Sequence, residues 1–232
     1  MGLVLLVCRP IFHHHRPDAR SEAVTQSTTA GQQRPRNPRP EKYAERKREL
    51  AQTALSTLAE LGYARTSLRD IAKASGCSLG VIHYYFTDKV ELIGYCVGLY
   101  KQDFVEDING AVDSASSAET LRRQMFQVLV RSVRDNPKEH RLWYDIRAQA
   151  LFDETFRPAM WDIDSQIEAA TGRFLSRLGE LSRRPLRMDA GTAYALLDGL
   201  FQRYLLRHII GEASACERFE KDLATVVEGM LG

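Results

Sequence analysis

Two short helical segments joined by one glycine turn, between Ser67 and Tyr85, constrain this sequence more than any other feature. The first begins at Ser67 with Asp70 three residues later, a pair in which the hydroxyl caps the free helix amides and the carboxylate reaches back. Gly76 supplies the left-handed residue that ends a helix, and Ser78 caps the second segment. The spacing predicts a hairpin of two short helices, an arrangement that includes the helix-turn-helix unit.

The rest of the chain after residue 40 also follows helical periodicity. Before the hairpin, apolar side chains recur at helical spacing up to Gly62, which ends that helix. After the hairpin, Asp88 and Glu91 are predicted to form a second capping box that opens a helix reaching Ile108. Further amphipathic helices are predicted at residues 118–134, 138–152, 160–181, 193–205 and 212–230. No segment alternates apolar and polar residues as a half-buried strand does, so the predicted fold class is all-α.

Composition divides the chain at about residue 40. The first 40 residues hold five prolines among Ser, Thr, Gln and Arg, and their six arginines against two acidic residues give a net charge of +4. We therefore predict a disordered basic tail at residues 1–40. The whole chain carries a net charge of only +2, so any contact with nucleic acid must be local.

The basic tail admits two interpretations. Arg34, Arg36 and Arg39 lie just before the first helix, where a flexible arm can touch DNA phosphates or a minor groove. The interpretation we favour is a solvated leader or a misassigned translation start. The histidines at residues 13–15 have no partners at metal-ligand spacing, and no metal site is predicted.

The sequence argues against several other classes of protein. Cys8, Cys77, Cys96 and Cys216 are too scattered for a zinc site or a disulfide framework, which favours reduced thiols in a cytoplasm. The apolar stretch at residues 3–8 is far shorter than the roughly 20 residues of a membrane span, so no membrane partner is expected. No catalytic triad, metalloprotease, P-loop or dinucleotide-binding motif occurs, and we expect neither an enzyme nor a cofactor.

The string TSLRDIAKASGCSLGVIHYYFTDKVEL, at residues 66–92, resembles the N-terminal DNA-binding domain of the TetR family of bacterial repressors. The likeness extends over residues 41–92 and includes the family's Gly-Tyr-x-x-Thr-Ser approach at 62–67 and its Tyr-Phe-x-x-Lys ending at 85–89. The LDGL stretch at 197–200 looks similar to the branch of the family that includes the choline-pathway repressor.

The resemblance implies a helix-turn-helix DNA-binding domain of three helices at residues 41–89, followed by a helical effector-binding and dimerisation domain at residues 90–232. The matching positions imply the following DNA-binding residues: Arg69, Ser78, Leu79, Gly80, Val81, His83, Tyr84, Tyr85 and Lys89. Gly80 lets the backbone approach the groove, and Lys89, at the positive end of the fourth helix, is the expected phosphate anchor.

This stretch departs from the family at the reading positions. Many members carry a polar residue where this chain has Leu79 or Val81, and a tyrosine where it has His83. Direct base reading is therefore expected to rest on thymine methyl contacts and on DNA shape. The alternative for the aromatic run is a place in the core, which we predict for Phe86, whereas Tyr84 is predicted to face DNA.

The resemblance also implies a small-molecule effector, and an aromatic cluster suits its pocket. The candidate ligand-binding residues are Trp143, Tyr144, Arg147, Phe152, Trp161, Asp198 and Phe201. Arg147 is expected to hold a carboxylate, while Asp145 or Asp198 beside aromatic rings suits a cation. The competing interpretation is that this aromatic stripe is ordinary core.

By order along the chain, the helices at residues 163–181 and 193–205 match the pair that forms the family's four-helix dimer interface. The candidate interface residues are Ile163, Ile167, Phe174, Leu178, Leu196, Leu200 and Tyr204. Two reading helices about 34 Å apart suit a palindrome. The expected function is a homodimeric repressor released from palindromic double-stranded DNA by its effector; the alternatives are an activator and a structural DNA-binding protein.

Overall fold

The computed structural model describes residues 40–232, and the tail predicted at 1–40 lies outside them except for Pro40. The helices are α1 (Pro40–Leu61), α2 (Leu68–Ala74), α3 (Leu79–Tyr85), α4 (Lys89–Ser114), α5 (Ala118–Asp135), α6 (Pro137–Gln149), α7 (Arg157–Ser182), α8 (Ala190–Ile209) and α9 (Ala215–Gly229). A 3-10 turn, Glu154–Phe156, precedes α7. In this part of the chain β-pairing is limited to one bridge, Leu186 to Leu231, which confirms the all-α prediction. No helix among the described residues is both long and apolar enough to cross a bilayer.

Several helix ends differ by a few residues from their predicted positions, and those of α4 and α6 have a clear physical reason. The helix α4 continues past Ile108 to Ser114 because Ala111 and Val112 extend its buried face. The helix α6 ends at Gln149, where a turn begins, and Phe152 lies outside it with its amide bonded to the Gln149 carbonyl at 2.9 Å.

The glycine turn between α2 and α3 is built as predicted. The Ser67 hydroxyl accepts from the Asp70 amide at 3.3 Å, and the Asp70 carboxylate accepts from the Ser67 amide at 2.9 Å. Gly76 has a φ of 62°, and the following amide, of Cys77, donates to the Ala72 carbonyl at 3.0 Å. These bonds close both ends of α2, which fixes the angle at which α3 leaves the turn.

The predicted capping box at the start of α4 is only half formed. The Asp88 carboxylate accepts from the Glu91 amide at 2.8 Å, as expected. The Glu91 carboxylate, however, accepts from the Thr87 amide at 2.7 Å and from the Lys47 ammonium at 2.9 Å. Glu91 therefore ties the start of α4 to α1 instead of reaching back to Asp88.

A short apolar core holds the hairpin against α1 and α4. Ile71 of α2, Ile82 of α3 and Phe86 after α3 are buried among Leu58 and Leu92. Each buried side chain of this size stabilises the fold by about 1.5–3 kcal/mol. The prediction that Phe86 belongs to the core is confirmed.

The loop between α1 and α2 joins the hairpin to the rest of the molecule through Tyr63. The Tyr63 amide donates to the Asp145 carboxylate of α6 at 3.3 Å, and the Lys89 ammonium of α4 donates to the Tyr63 carbonyl at 2.6 Å. The Tyr63 ring lies 4.0 Å from the same ammonium and makes an edge contact with Phe156 at 5.4 Å between centroids. We call these four residues the Tyr63 junction.

The left-handed turn at Gly76 yields the first prediction. No atom lies within 4 Å of a Cβ added there, so Gly76→Ala meets only backbone strain, and we expect it to lower the free energy of unfolding by about 1 kcal/mol. Gly110→Ala, in α4 with equally open surroundings, is the matched control and should raise it by about 0.5–1 kcal/mol. Urea denaturation measures both, and an unchanged Gly76→Ala protein contradicts the account.

Candidate DNA-reading helix and effector cavity

One side of α3 faces solvent along its length. Ile82 points into the core, which leaves Ser78, Gly80, His83 and Tyr84 exposed, and the Tyr84 ring is 55% exposed. The other predicted reading residues on this helix, Leu79, Val81 and Tyr85, are half-buried. Apart from Arg69 and Lys89, the predicted reading residues therefore lie on one short helix and its cap, which contain no acidic residue, lysine or arginine.

A tyrosine of α1 supports the exposed end of α3. The Tyr43 ring lies 4.8 Å from the Tyr85 ring and 5.8 Å from the Tyr84 ring, and the last two are 4.9 Å apart in an edge contact. Such contacts are worth about 0.5–1.5 kcal/mol each beyond burial. Sequence reasoning missed Tyr43 because it lies at the start of α1, far along the chain from α3.

Gly80 is not required by the fold. A Cβ built at this position lies 3.7 Å from the Ser78 hydroxyl, an ordinary contact, and the residue is exposed in the first turn of α3. Because glycine has no side chain, the backbone of this turn is open to solvent and to the close approach of another molecule.

Lys89 does not take the position predicted for it. Its ammonium is turned inward to the Tyr63 carbonyl and ring, and burial lowers the pKa of Lys89, with the Asp145 charge opposing that shift. A side chain engaged in this way is not a free phosphate anchor. Arg69 and its neighbour Lys73 are instead exposed on α2, beside the reading helix.

A small cavity with about 50 Å³ of free space lies inside the bundle formed by α4 to α8. Trp143, Tyr144, Asp198 and Phe201, all predicted as ligand-binding residues, line it. Its other lining residues are Lys101, Phe104, Ile108, Met125, Leu129, His140, Ile167, Thr171, Phe174, Tyr194 and Leu197.

Phe152 and Trp161, also predicted to bind the ligand, lie outside this cavity. Phe152 is 86% exposed in the turn after α6, and Trp161 is 75% exposed on the outer side of α7. Their sequence proximity to Trp143 misled the prediction, because the turn after α6 carries the chain away from the cavity.

Arg147 and Asp198 are paired with each other, which excludes both predicted uses of them. The Arg147 guanidinium lies 2.5 Å from the Asp198 carboxylate and 3.2 Å from that of Asp164. The Tyr144 and Tyr194 hydroxyls donate to Asp198 and Asp164 at 2.9 Å and 2.6 Å. Arg147 is therefore not free for a ligand carboxylate, nor Asp198 for a ligand cation. Asp145, the other predicted cation partner, belongs to the Tyr63 junction.

Lys101 is the unpredicted feature of the cavity. It is only 4% exposed, and its ammonium donates to Nδ1 of His140 at 3.3 Å and lies 4.8 Å from the Trp143 ring. Burial lowers the pKa of Lys101 to about 7. A sequence signal was available, because Lys101 follows Val97 by four residues and precedes Phe104 by three, within the buried stripe of α4.

His140 and Ser132 form a buried pair that lacks the geometry of a catalytic one. Nε2 of His140 lies 2.5 Å from the Ser132 hydroxyl, and burial holds the pKa of His140 well below its ordinary value. Because Lys101 donates to Nδ1, the proton of the neutral ring lies on Nε2 and points to the serine. The ring cannot then accept the hydroxyl proton, as a general base must.

The helix α6 contacts both the cavity and the segment of chain that precedes the hairpin. His140, Trp143 and Tyr144 line the cavity. On its other side, Arg141 donates to the Ala59 carbonyl at the end of α1 at 2.7 Å, and Asp145 accepts from the Tyr63 amide. The helix α6 therefore connects the cavity to the α1–α2 loop.

Most of the predicted dimer residues point into the chain's own core. Ile163, Ile167, Phe174, Leu178 and Tyr204 are buried within the bundle, because the widest apolar stripes of α7 and α8 face the other helices. Leu196 is exposed and Leu200 is half-buried. The exposed residues of α8 and its C-terminal cap are nevertheless mostly apolar: Ala195, Leu196, Gly199, Leu206, Ile209 and Ile210, with the polar Gln202 and Arg203 between them.

The buried amine yields the second prediction, a stability difference that depends on pH. The pKa of Lys101 is about 7 in the folded state, below its ordinary 10.5, so between these values the unfolded chain binds more protons and stability rises with pH. Relative to Lys101→Met, the wild-type free energy of unfolding should increase by about 2 kcal/mol from pH 7 to pH 9. Urea denaturation of both proteins measures this difference, and a constant difference contradicts it.

Comparison with known proteins identifies the same regions. A sequence profile of bacterial regulatory proteins of the tetR family matches residues 50–96. The HTH-type transcriptional regulator BetI of Agrobacterium fabrum is 27% identical over 171 residues, which are 73% of this chain and 82% of that protein.

Solved structures share the fold. A TetR transcription regulator from Haloarcula marismortui is 19% identical, with a TM-score of 0.69 over 82% of this chain and 100% of its own. A transcriptional regulator from Saccharomonospora viridis, solved in complex with choline, is 18% identical, with a TM-score of 0.65 over 81% of this chain and 98% of its own.

These comparisons agree with the geometry of the hairpin. The profile match begins within α1, contains α2 and α3 completely and ends within α4. The related protein is a transcriptional regulator, so the prediction of a regulator and not an enzyme is confirmed. Residues 50–96 therefore match the DNA-binding domain of the tetR family of bacterial regulatory proteins, and the chain as a whole is similar to transcriptional regulators that carry this domain.

Proposed function

We propose that this regulator is a homodimeric repressor that binds a palindromic operator through α3 and leaves it when a small molecule occupies the α4–α8 cavity. The observation that carries the proposal is that α6 both lines the cavity and bonds to the α1–α2 loop. In this scheme residues 41–89 read DNA, and residues 90–232 bind the effector and form the dimer.

The reading surface combines methyl contacts with flanking charges. Leu79 and Val81 are half-buried at the start of α3, where a thymine methyl group can complete their packing. Tyr84 and His83 offer a hydroxyl and an imidazole to phosphate oxygens. Arg69 supplies the nearby positive charge in place of Lys89, whose ammonium is engaged at the Tyr63 junction.

A second copy of the chain is the proposed occupant of the exposed apolar side of α8. Leu206 is 60% exposed there, and Gly199 on the same side allows two helices to approach closely. A twofold interface of this kind brings two reading helices to one duplex, which a palindrome requires. Leu196 stays in the proposed interface, whereas Phe174 does not because it is buried within the chain.

The size of the cavity explains how an effector can act. About 50 Å³ holds a few water molecules, so a ligand of more than a few heavy atoms must push the lining helices apart. Because α6 bonds to the Tyr63 junction, that displacement favours a different position of α3 and lowers the affinity for DNA. The choline complex of the Saccharomonospora viridis regulator supports effector binding in this fold.

The third prediction concerns Gly80. We expect Gly80→Ala to keep or slightly raise the free energy of unfolding, because the added methyl group meets only an ordinary contact. DNA affinity should fall about 10-fold, since the methyl group blocks close approach and one lost contact is worth about 1–3 kcal/mol. The measurement is fluorescence anisotropy on a duplex selected from random sequences with the wild-type protein. Gly110→Ala is the control, and equal affinities for both variants remove Gly80 from the reading surface.

The fourth prediction concerns the dimer. Leu206→Glu places a charge on the exposed side of α8, so sedimentation should give folded monomers. Gln127→Glu, on the exposed side of α5, is the control and should remain dimeric. A charge at the buried Phe174 should instead unfold the chain. If the Leu206→Glu protein remains dimeric, the interface lies on another surface.

A further inference from the structure

Lys101 is a buried amine without an ion-pair partner in the described part of the chain. No carboxylate of residues 40–232 lies within 4 Å of its nitrogen. The carboxylates whose charges act on Lys101 are those of Asp198 and Asp164. Both are already bonded to Arg147 and to tyrosine hydroxyls. The one hydrogen-bond partner of Lys101 there is the His140 ring.

A buried ammonium in this position is costly to the protein alone. Transfer of a charge from water to an apolar interior is strongly unfavourable unless an opposite charge accompanies it. The chain retains a lysine here although a methionine of similar length would fill the same space. A ligand that brings a negative charge into the cavity would supply the missing partner.

We propose that the effector of this regulator carries a carboxylate, which enters the α4–α8 cavity and pairs with the Lys101 ammonium. This inference rests on the proposed function and names the chemical class of its ligand. Nδ1 of His140 fixes the direction of the ammonium from one side. The ligand carboxylate accepts a hydrogen bond from another N–H of the ammonium, on the side that faces the cavity.

The aromatic rings of the cavity favour an anion over a cationic ligand. The Trp143 ring already lies 4.8 Å from the Lys101 ammonium and 5.9 Å from the Arg147 guanidinium. A quaternary ammonium head would meet these two positive groups, while the Asp198 carboxylate is already paired with Arg147. A choline ligand needs free aromatic ring faces and an available carboxylate, so this arrangement suits it poorly.

The remaining lining limits the rest of the ligand to a short apolar chain. Met125, Leu129, Ile167 and Phe174 form the apolar part of the wall. The Thr171 hydroxyl donates to its own helix at the Ile167 carbonyl and needs no ligand partner. With about 50 Å³ of free space, the first probes are the linear carboxylates from acetate to hexanoate.

The test is calorimetric titration of the full-length protein with these carboxylates, with their primary amides and with choline. We expect saturable binding of at least one carboxylate, with its amide and choline at least about 10-fold weaker. Lys101→Met should weaken carboxylate binding about 30-fold, the effect of removing one partner of a buried charge pair. Lys221→Met, a substitution at an exposed lysine of α9, is the matched control and should bind as the wild type does.

A second readout needs no variant and detects the charge on Lys101 directly. At pH 8 the amine is mostly neutral, because its pKa is about 7, and pairing with a carboxylate restores its charge. Titrations in buffers of different ionisation enthalpy should show uptake of close to one proton per ligand. The side chains around Lys101 whose pKa values are shifted keep their protonation state at this pH: Tyr100, His140, Tyr144, Arg147 and Tyr194. The other charged groups that act on Lys101 are the carboxylates of Asp164 and Asp198.

Several results would overturn the inference. These are equal binding of a carboxylate and its amide, tighter binding of choline, no binding by any carboxylate, no proton uptake, or unchanged affinity in Lys101→Met. Anisotropy with the selected duplex separates this inference from the proposed function. If a carboxylate binds through Lys101 but leaves DNA affinity unchanged, the repressor mechanism fails and the ligand class stands. If a ligand without a carboxylate releases the DNA, the repressor mechanism stands and the proposed ligand class fails.

Discussion

The Tyr63 junction is the constraint that joins the α1–α2 loop, and with it the start of the hairpin, to the helices α4 and α6 that line the cavity. One residue of the α1–α2 loop receives a hydrogen bond from α4 through Lys89, gives one to α6 through Asp145, and packs on Phe156. The hairpin has only a small core of its own, so its orientation is set by these contacts as much as by burial. Every helix that reaches the junction also borders the cavity or precedes one that does. We therefore propose that the position of α3 and the occupation of the cavity are coupled through this junction.

The charged side chains around the cavity are of two kinds, those with an ion-pair partner and one without. Arg147 pairs with both Asp164 and Asp198, and these ion pairs hold α6, α7 and α8 together at one end. Lys101 lies apart from them, with an aromatic ring and an imidazole as its neighbours. A buried group kept at such a cost is characteristic of a functional site, since a purely structural core would be more stable with an apolar residue there.

The sequence predicted the parts of the fold that local chemistry determines. Ser67, Gly76 and Ser78 fix the hairpin through bonds within a few residues, so their positions were readable, and Phe86 followed from helical periodicity. The sequence did not reveal the roles of side chains whose partners lie in distant segments of the chain. Lys89 is hydrogen-bonded to a carbonyl 26 residues away, and Arg147 is bonded to an aspartate 51 residues away. The dimer prediction failed for Phe174 and Tyr204 because periodicity identifies an apolar stripe but not whether it faces its own chain or a second copy.

The most direct test of the coupling through the Tyr63 junction is a distance between the two reading helices of the dimer. A spin label at His83→Cys, with Cys8, Cys77 and Cys216 replaced by serine, reports that distance by double electron–electron resonance. We predict one narrow distribution in the otherwise unchanged protein. In Asp145→Ala, which removes the bond from α6, the distribution should broaden or shift while the helix content stays the same. Identical distributions in the two proteins would contradict the claim that α6 controls the position of α3.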